Sequence, residues 1–154
     1  MNRKSGRKST FSNLKHVGVV VRDMDKAVEY LSSLGIGPFK PIADPALSEK
    51  LFRGKPSDWK VKICFAKMGP VVLELLQPVD GESASQEFLE SKGEGIQHIA
   101  FAVDDIDKEV ANLRKEGVEV LMSGKWNGGG FAYLETDALG GILIELTQEL
   151  NVPD

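Results

Sequence analysis

The chain of 154 residues has two histidines, His16 and His98, and they occupy equivalent positions in an internal repeat. Each histidine begins an apolar run that leads into the sequence Asp-x-Asp-Lys, and internal similarity of this kind indicates a duplicated structural unit. Glu74 and Glu145 form a second equivalent pair, because each lies within an apolar run of its own half. Imidazole nitrogens and carboxylate oxygens are common protein ligands of divalent transition metals. The four residues therefore predict a divalent metal site.

Strand alternation is expected to place these four side chains on one face of a sheet. Residues two apart in a strand share a face. The histidines therefore share a face with small residues, Gly18 and Ala100 among them, whereas bulky side chains that suit packing against helices occupy the other face. The glutamates likewise alternate with leucine and isoleucine. A buried carboxylate without a compensating charge is costly, so we expect a cation on the small-residue face.

Each of these residues, taken alone, has a structural alternative. A single histidine in a strand is commonly a hydrogen-bonded core residue, and a single glutamate in a strand commonly faces solvent from an edge. Both pairs are equivalent in the repeat, which favours one shared site over four separate structural roles.

The predicted elements follow the same order in both halves: a strand, a helix and three further strands. The strands of the first half are predicted at 15–21, 38–42, 60–67 and 70–77. The strands of the second half are predicted at 97–103, 118–122, 131–136 and 142–148. The two helices are predicted to run from Asp23 to Gly35 and over 105–116, each with an aspartate as N-cap.

The segments between these elements are predicted to be irregular. Segment 43–59 has no clear periodicity and is predicted to be a long loop, and 124–130, with three consecutive glycines, a flexible loop. Segment 81–95 is predicted to be a linker with a short helix at 84–91. Residues 1–13 are basic and polar at their start, and we expect a disordered tail there.

Composition excludes several function classes. The net charge of −4 gives no electrostatic reason to expect nucleic acid or an anionic membrane as a partner. No apolar run approaches the roughly 20 residues that cross a bilayer. The single cysteine, Cys64, is expected to be a small buried strand residue, and it cannot form an internal disulfide. We therefore expect a cytoplasmic protein.

The repeat that carries His16, Glu74, His98 and Glu145 resembles the vicinal oxygen chelate superfamily, which includes glyoxalases, bleomycin resistance proteins and dioxygenases. The resemblance covers residues 14–148 and implies a single domain of the α+β class. It implies two tandem βαβββ modules, at 14–80 and 96–148, joined by the linker 81–95. It further implies that their eight strands form a cupped mixed sheet around the metal, commonly in a homodimer.

Within the superfamily, the chain is most similar to the methylmalonyl-CoA epimerases. The similarity is carried by the segments 74–78, 88–100 and 140–148. It implies that His16, His98 and Glu145 are metal ligands, that Glu74 is the fourth ligand, and that Glu145 also acts as an acid or base. The chain departs from the family at Lys62, which we align with the position of a second acidic residue.

This resemblance implies a divalent-metal-dependent isomerase or epimerase that removes a proton next to a carbonyl group, with Glu145 and Glu74 as the catalytic pair. The expected substrate is a small molecule, an acyl-CoA or a glutathione adduct, and the expected metal is cobalt, manganese, nickel, zinc or magnesium. Three alternatives stay open. They are an isomerase of the lactoylglutathione lyase type, a dioxygenase, and a non-catalytic protein that sequesters an antibiotic or another ligand.

Overall fold

The structure, a computed structural model, describes residues 10–42, 46–136 and 141–148 of the chain. The elements in chain order are β1 (Leu14–Val20), α1 (Met24–Ser33), β2 (Lys40–Pro41), β3 (Glu49–Phe52), β4 (Lys55–Pro56), β5 (Lys60–Met68), β6 (Val71–Asp80), α2 (Ala84–Lys92), β7 (Gly95–Ala102), α3 (Ile106–Lys115), β8 (Val120–Trp126), β9 (Gly129–Leu134) and β10 (Leu143–Gln148). Most of the predicted tail lies outside the described residues, and so does most of the segment between the predicted strands at 131–136 and 142–148.

All the described strands belong to one curled mixed sheet, in the order β2-β5-β6-β1-β7-β10-β9-β8-β3-β4. The first strands of the two halves, β1 and β7, pair antiparallel at its centre. Each of them has the last strand of its own half as its other, parallel neighbour: β6 beside β1 and β10 beside β7. The α+β class and the mixed sheet are confirmed. The described sheet has ten strands instead of the predicted eight.

The two repeat helices cover the convex face of the sheet, and both were predicted. Asp23 and Asp105 are their N-caps, and each carboxylate accepts a hydrogen bond from the backbone N–H three residues later. Helix α1 packs on a cluster that contains Leu73, Leu75 and Cys64, so the expected burial of the cysteine is confirmed. Helix α3 packs on the equivalent cluster around Leu146. The apolar strand faces are therefore helix-covered, as the alternation predicted.

Segment 43–59 contains a hairpin, so the prediction of a long loop was wrong. Strands β3 and β4 form this hairpin, and β3 pairs with β8 at the far edge of the sheet from β2. The chain thus crosses from one edge of the sheet to the other and returns to β5. Phe52 and Trp59 are buried with Met122 and Tyr133, which shows that the crossing runs over the concave face. Strands β3 and β4 have four and two residues, and strands this short leave no clear periodicity in the sequence.

Segment 124–130 is also ordered, and the expected flexible loop is a tight hairpin. Gly124 belongs to β8 and Gly130 to β9, so that only Asn127 and Gly128 form the turn. Asn-Gly is the preferred pair for a two-residue hairpin turn. A Cβ at Gly129 would lie 2.4 Å from the carbonyl oxygen of Gln148, so that glycine is required by close packing.

No described helix is both long and apolar enough to cross a membrane.

Candidate metal centre

Four adjacent strands of the sheet bring together one side chain each. They are β6, β1, β7 and β10, and all four side chains are at least nine-tenths buried. We call them the histidine–glutamate cluster: His16, Glu74, His98 and Glu145. The structure therefore places on one face every residue that the sequence analysis selected as a metal ligand.

Register explains why side chains from separate halves meet. Gly18 on β1 lies between Glu74 on β6 and His98 on β7. The equivalent residue of the second half, Ala100, lies between His16 and Glu145. Each histidine is thus separated from the glutamate of the other half by one small residue. The repeat builds the cluster with near-twofold symmetry.

The distances within the cluster fit one cation. Nε2 of His16 lies 3.1 Å from Nε2 of His98 and 3.0 Å from Oε2 of Glu145, and Nε2 of His98 lies 2.9 Å from the same oxygen. The Glu74 oxygens lie 3.5 and 3.4 Å from the two imidazole nitrogens. Ligands held about 2.1 Å from a common ion are separated by about 3.0 Å at right angles and about 3.4 Å in a tetrahedron. The four donors therefore fit a single divalent ion.

Gln97 determines how His98 faces the cluster. Nδ1 of His98 lies 2.9 Å from Oε1 of Gln97, and the amide nitrogen of Gln97 donates to Oγ of Ser85 at 3.3 Å. Because the amide oxygen of Gln97 can only accept, the proton of the neutral imidazole is on Nδ1. The lone pair of Nε2 is then directed at the other three residues. A second residue that orients a ligand in this way is typical of metal sites.

Sequence reasoning missed Gln97, because strict alternation would point it away from His98. The ladder between β1 and β7 shifts by one residue at this place, so that Gly18 faces His98 and Val19 faces Ile96. Gln97 is the extra residue of this irregularity. Such bulges redirect side chains and recur beside functional sites. The position of Gln97 directly before a histidine that was predicted to be a ligand is the feature of the sequence that could have indicated its role.

The electrostatics of the cluster favour positive charge at the imidazole nitrogens. Burial alone would lower the pKa of both histidines, but Glu145 and Glu74 outweigh it. They raise the pKa of His16 above its usual value and that of His98 to about 9. Burial would raise the pKa of Glu145, but the charge and hydrogen bonds of the histidines lower it to about 2. Two carboxylates and two inward-facing nitrogens thus form a pocket that is suited to a cation.

Comparison with known proteins assigns the family. Residues 15–133 match the Glyoxalase/Bleomycin resistance protein/Dioxygenase superfamily. The chain belongs to this superfamily. It is 30% identical to the ethylmalonyl-CoA/methylmalonyl-CoA epimerase of Cereibacter sphaeroides, over 88% of this chain and 96% of that protein. It is 29% identical to the mitochondrial methylmalonyl-CoA epimerase of Bos taurus, over 88% of this chain and 73% of that protein.

A solved structure shows the same similarity. It is a methylmalonyl-CoA epimerase in complex with methylmalonyl-CoA and NH4+, with a TM-score of 0.69 and 27% identity to this chain. The similarity covers 92% of this chain and 97% of that one. The resemblance to the superfamily, and within it to the epimerases, is therefore confirmed.

Lys62, the residue that departs from the epimerase pattern, lies outside the histidine–glutamate cluster. It faces Gln77 across the β5–β6 ladder, and the side chain of Gln77 accepts a hydrogen bond from the first residue of α1. Lys62 is therefore on the convex face, and its side chain is exposed. The residue of β5 that faces the cluster is Phe65, which lies opposite Glu74.

Tyr133 is a further residue of the site that sequence reasoning missed. It lies opposite Glu145 in the β9–β10 ladder, and its ring centroid is 5.0 Å from that of His98. Its burial, with the charges of Glu145 and Glu74, raises the pKa of the phenol well above its ordinary value. The neutral hydroxyl can therefore donate a hydrogen bond at any physiological pH.

Proposed function

We propose that this protein is a divalent-metal-dependent epimerase that removes the proton next to the thioester carbonyl of an acyl-CoA of the methylmalonyl-CoA type. The observation that carries the proposal is the histidine–glutamate cluster, in which two carboxylates and two imidazoles converge from both halves of the chain. Similarity to epimerases over most of the chain supports the choice of substrate class.

The metal ligands in this proposal are His16, Glu74, His98 and Glu145, whose mutual distances fit one ion. When bound, a divalent cation would stabilise the negative charge that develops on the carbonyl oxygen of the substrate as the proton leaves.

The two carboxylates are the proposed acid and base. Epimerisation requires removal of a proton from one face of the substrate carbon and delivery to the other, so two groups are needed. Glu145 and Glu74 are on β10 and β6, with two strands between them. The charge of a bound cation would keep Glu145 ionised near neutral pH, so that this carboxylate can accept the proton. Glu74, in its protonated form, would deliver a proton to the opposite face of the carbon and be left as the carboxylate, ready to act as the base in the reverse direction.

The segment that contains the β3–β4 hairpin and leads to β5 would keep water from the reacting atoms. Phe52 and Trp59 are buried against Tyr133 and Leu143 on the concave face of the sheet. An apolar cover over a charged cluster strengthens the electrostatic interactions within it.

An isomerase of the lactoylglutathione lyase type is the second candidate. The observation that favours it is Lys62, which stands where the epimerases that the chain resembles are aligned with a second acidic residue and which lies on the convex face, away from the cluster. That chemistry also moves a proton next to a carbonyl group, and it uses a glutathione adduct as substrate.

We further propose that residues 14–148 form one domain, that the protein is a homodimer, and that it is cytoplasmic. Burial of the free thiol of Cys64 suits a reducing compartment. Sedimentation analysis of the purified protein tests the dimer.

The test is exchange of the α-proton of methylmalonyl-CoA in heavy water, with protein stripped of metal and reloaded with cobalt. The proposal requires exchange that depends on metal and is lost in Glu145→Gln. The matched control, Glu29→Gln on the exposed face of α1, should keep the wild-type rate. Metal-loaded wild-type protein that shows no exchange would reject the epimerase, and turnover of a glutathione hemithioacetal would then establish the second candidate.

A further inference from the structure

The two halves of the site differ by one hydroxyl group. Phe65 lies opposite Glu74, with its ring centroid 5.8 Å from that of His16. Tyr133 occupies the equivalent place opposite Glu145, with its ring against His98. Because a phenylalanine performs the packing role in the first half, packing does not explain why a tyrosine is present in the second.

The surroundings of the Tyr133 hydroxyl offer it few hydrogen-bond partners. The residue is 4% exposed, and within the described ranges no hydrogen bond to its hydroxyl is formed. Its buried apolar neighbours include Phe52, Trp59 and Met122. Among the described residues, the sealed side-chain atoms without a hydrogen-bond partner are the amide nitrogen of Asn112 and the indole nitrogen of Trp126, so the hydroxyl of Tyr133 is not closed off and is left accessible to a bound molecule.

The charges around Tyr133 indicate what it would bind. Glu145 and Glu74 both lie close enough to influence the phenol, and carboxylates that face a cation are held by that cation. The hydroxyl of Tyr133 then needs an acceptor other than these carboxylates, and an oxygen of a bound molecule would provide it. On the other side, β5 presents Val61, Ile63 and Phe65 to the concave face, and these provide no donor.

We propose that the hydroxyl of Tyr133 donates a hydrogen bond to the substrate oxygen on which negative charge develops during proton removal. The inference rests on the proposed function, and it fixes the orientation of the substrate. The carbonyl oxygen faces β9, and the apolar α-substituent faces the wall formed by Val61, Ile63 and Phe65. A donor that is aimed at developing charge acts mainly on kcat.

The first test is Tyr133→Phe, which keeps the ring and removes only the hydroxyl. We expect kcat for α-proton exchange to fall by about 10²–10³-fold, with a smaller change in KM and with unchanged cobalt content and thermal stability. Tyr30→Phe is the matched control, because Tyr30 is the other tyrosine of the chain and is 65% exposed. Wild-type kcat in Tyr133→Phe, or a loss that is accompanied by loss of cobalt or of stability, would overturn the inference.

The second test does not depend on the substrate. Oxalate, a planar dianion, is titrated into cobalt-loaded wild-type protein and into both variants by calorimetry. A hydrogen bond to a charged oxygen is worth about a tenfold to hundredfold change in a binding constant, and we expect this loss in Tyr133→Phe only. Equal oxalate affinity in wild type and Tyr133→Phe, or no oxalate binding by the wild type, would overturn the inference. Weaker binding in Tyr133→Phe without exchange in the wild type would reject methylmalonyl-CoA and retain the role of Tyr133.

Discussion

Gly18 and His98 lie opposite each other in the β1–β7 ladder, and the imidazole ring of His98 fills the space that a side chain at Gly18 would need. A Cβ at Gly18 would lie 2.0 Å from Cε1 and 2.4 Å from Nε2 of His98. In the equivalent pair, Ala100 lies opposite His16, so a methyl group is accommodated there. Small residues were expected to leave room for a ligand. At Gly18 that room is taken by a side chain of the cluster itself.

Gly18→Ala should therefore displace His98 and weaken metal binding. The new methyl group overlaps the ring, and backbone on both sides of β1 prevents relief by strand movement. We expect cobalt affinity to fall by about tenfold or more, measured by titration of stripped protein. The matched control is Ala100→Gly, which should bind cobalt as the wild type does. Equal affinities in the two variants would contradict the packing argument.

Removal of the Gln97 side-chain acceptor should act on the same histidine from its other side. In Gln97→Leu, Nδ1 of His98 loses its partner, and the proton can move to Nε2, which then faces the cluster as a donor. We expect cobalt affinity to fall by about 10–100-fold. The nitrogen chemical shifts of His98 in labelled, metal-free protein, recorded above the pKa of about 9 at which the ring becomes neutral, report the tautomer directly. An unchanged shift pattern in Gln97→Leu would show that Gln97 does not set the tautomer.

Ser85→Ala is the graded control for this experiment. The hydroxyl of Ser85 accepts a hydrogen bond from the amide nitrogen of Gln97, at 3.3 Å, and its removal leaves the amide oxygen in place. We expect a smaller loss of cobalt affinity than in Gln97→Leu, because the ligand keeps its direct partner.

The sequence predicted the cluster because β1, β6 and β10 alternate regularly at His16, Glu74 and Glu145, and β7 alternates regularly from His98 onwards. Two equivalent histidines and two equivalent glutamates, each among bulky neighbours, are sufficient to assign a common face. The helix boundaries were equally accessible, since Asp23 and Asp105 are N-caps that act through local hydrogen bonds.

The features that the sequence did not predict depend on pairing between distant segments. Gln97 reaches His98 only because the β1–β7 ladder shifts register beside it. The β3–β4 hairpin is held by β8, about seventy residues later in the chain. The place of Lys62 relative to the site depends on its register with Gln77, and alignment to a family pattern does not fix that register.

Lys62→Ala should leave catalysis intact. Because the side chain is exposed on the convex face, its removal changes neither the cluster nor the concave face. We expect the rate of α-proton exchange to stay within about twofold of wild type, since a surface substitution far from the reacting atoms alters little. Glu74→Gln, on the neighbouring strand, should abolish exchange in the same assay. Loss of exchange in Lys62→Ala would contradict the prediction and indicate that this lysine takes part in catalysis.

Gln77 and Gln148 should stabilise the fold without contributing to the site. The side-chain oxygen of Gln77 accepts a hydrogen bond from the backbone N–H of Met24, at 2.8 Å, and Gln148 does the same for Ile106, at 3.0 Å. Each glutamine thus satisfies a free N–H at the start of a repeat helix, in addition to the N-cap aspartate. We expect Gln77→Ala and Gln148→Ala each to lower the free energy of unfolding by about 1 kcal/mol, with unchanged cobalt affinity.

The controls for this last prediction are Gln77→Glu and Gln148→Glu. A carboxylate keeps an acceptor oxygen in place, and its negative charge is favourable at the N-terminus of a helix. Urea denaturation of the metal-free proteins should therefore rank Gln77→Glu near the wild type, and each glutamate variant above the alanine variant at its position. Gln148→Glu should rank below Gln77→Glu, because the amide nitrogen of Gln148 also donates to the carbonyl oxygen of Gly128, at 3.2 Å. If the alanine and glutamate variants at one position unfold at the same urea concentration, the glutamine there does not act through its hydrogen bond to the helix.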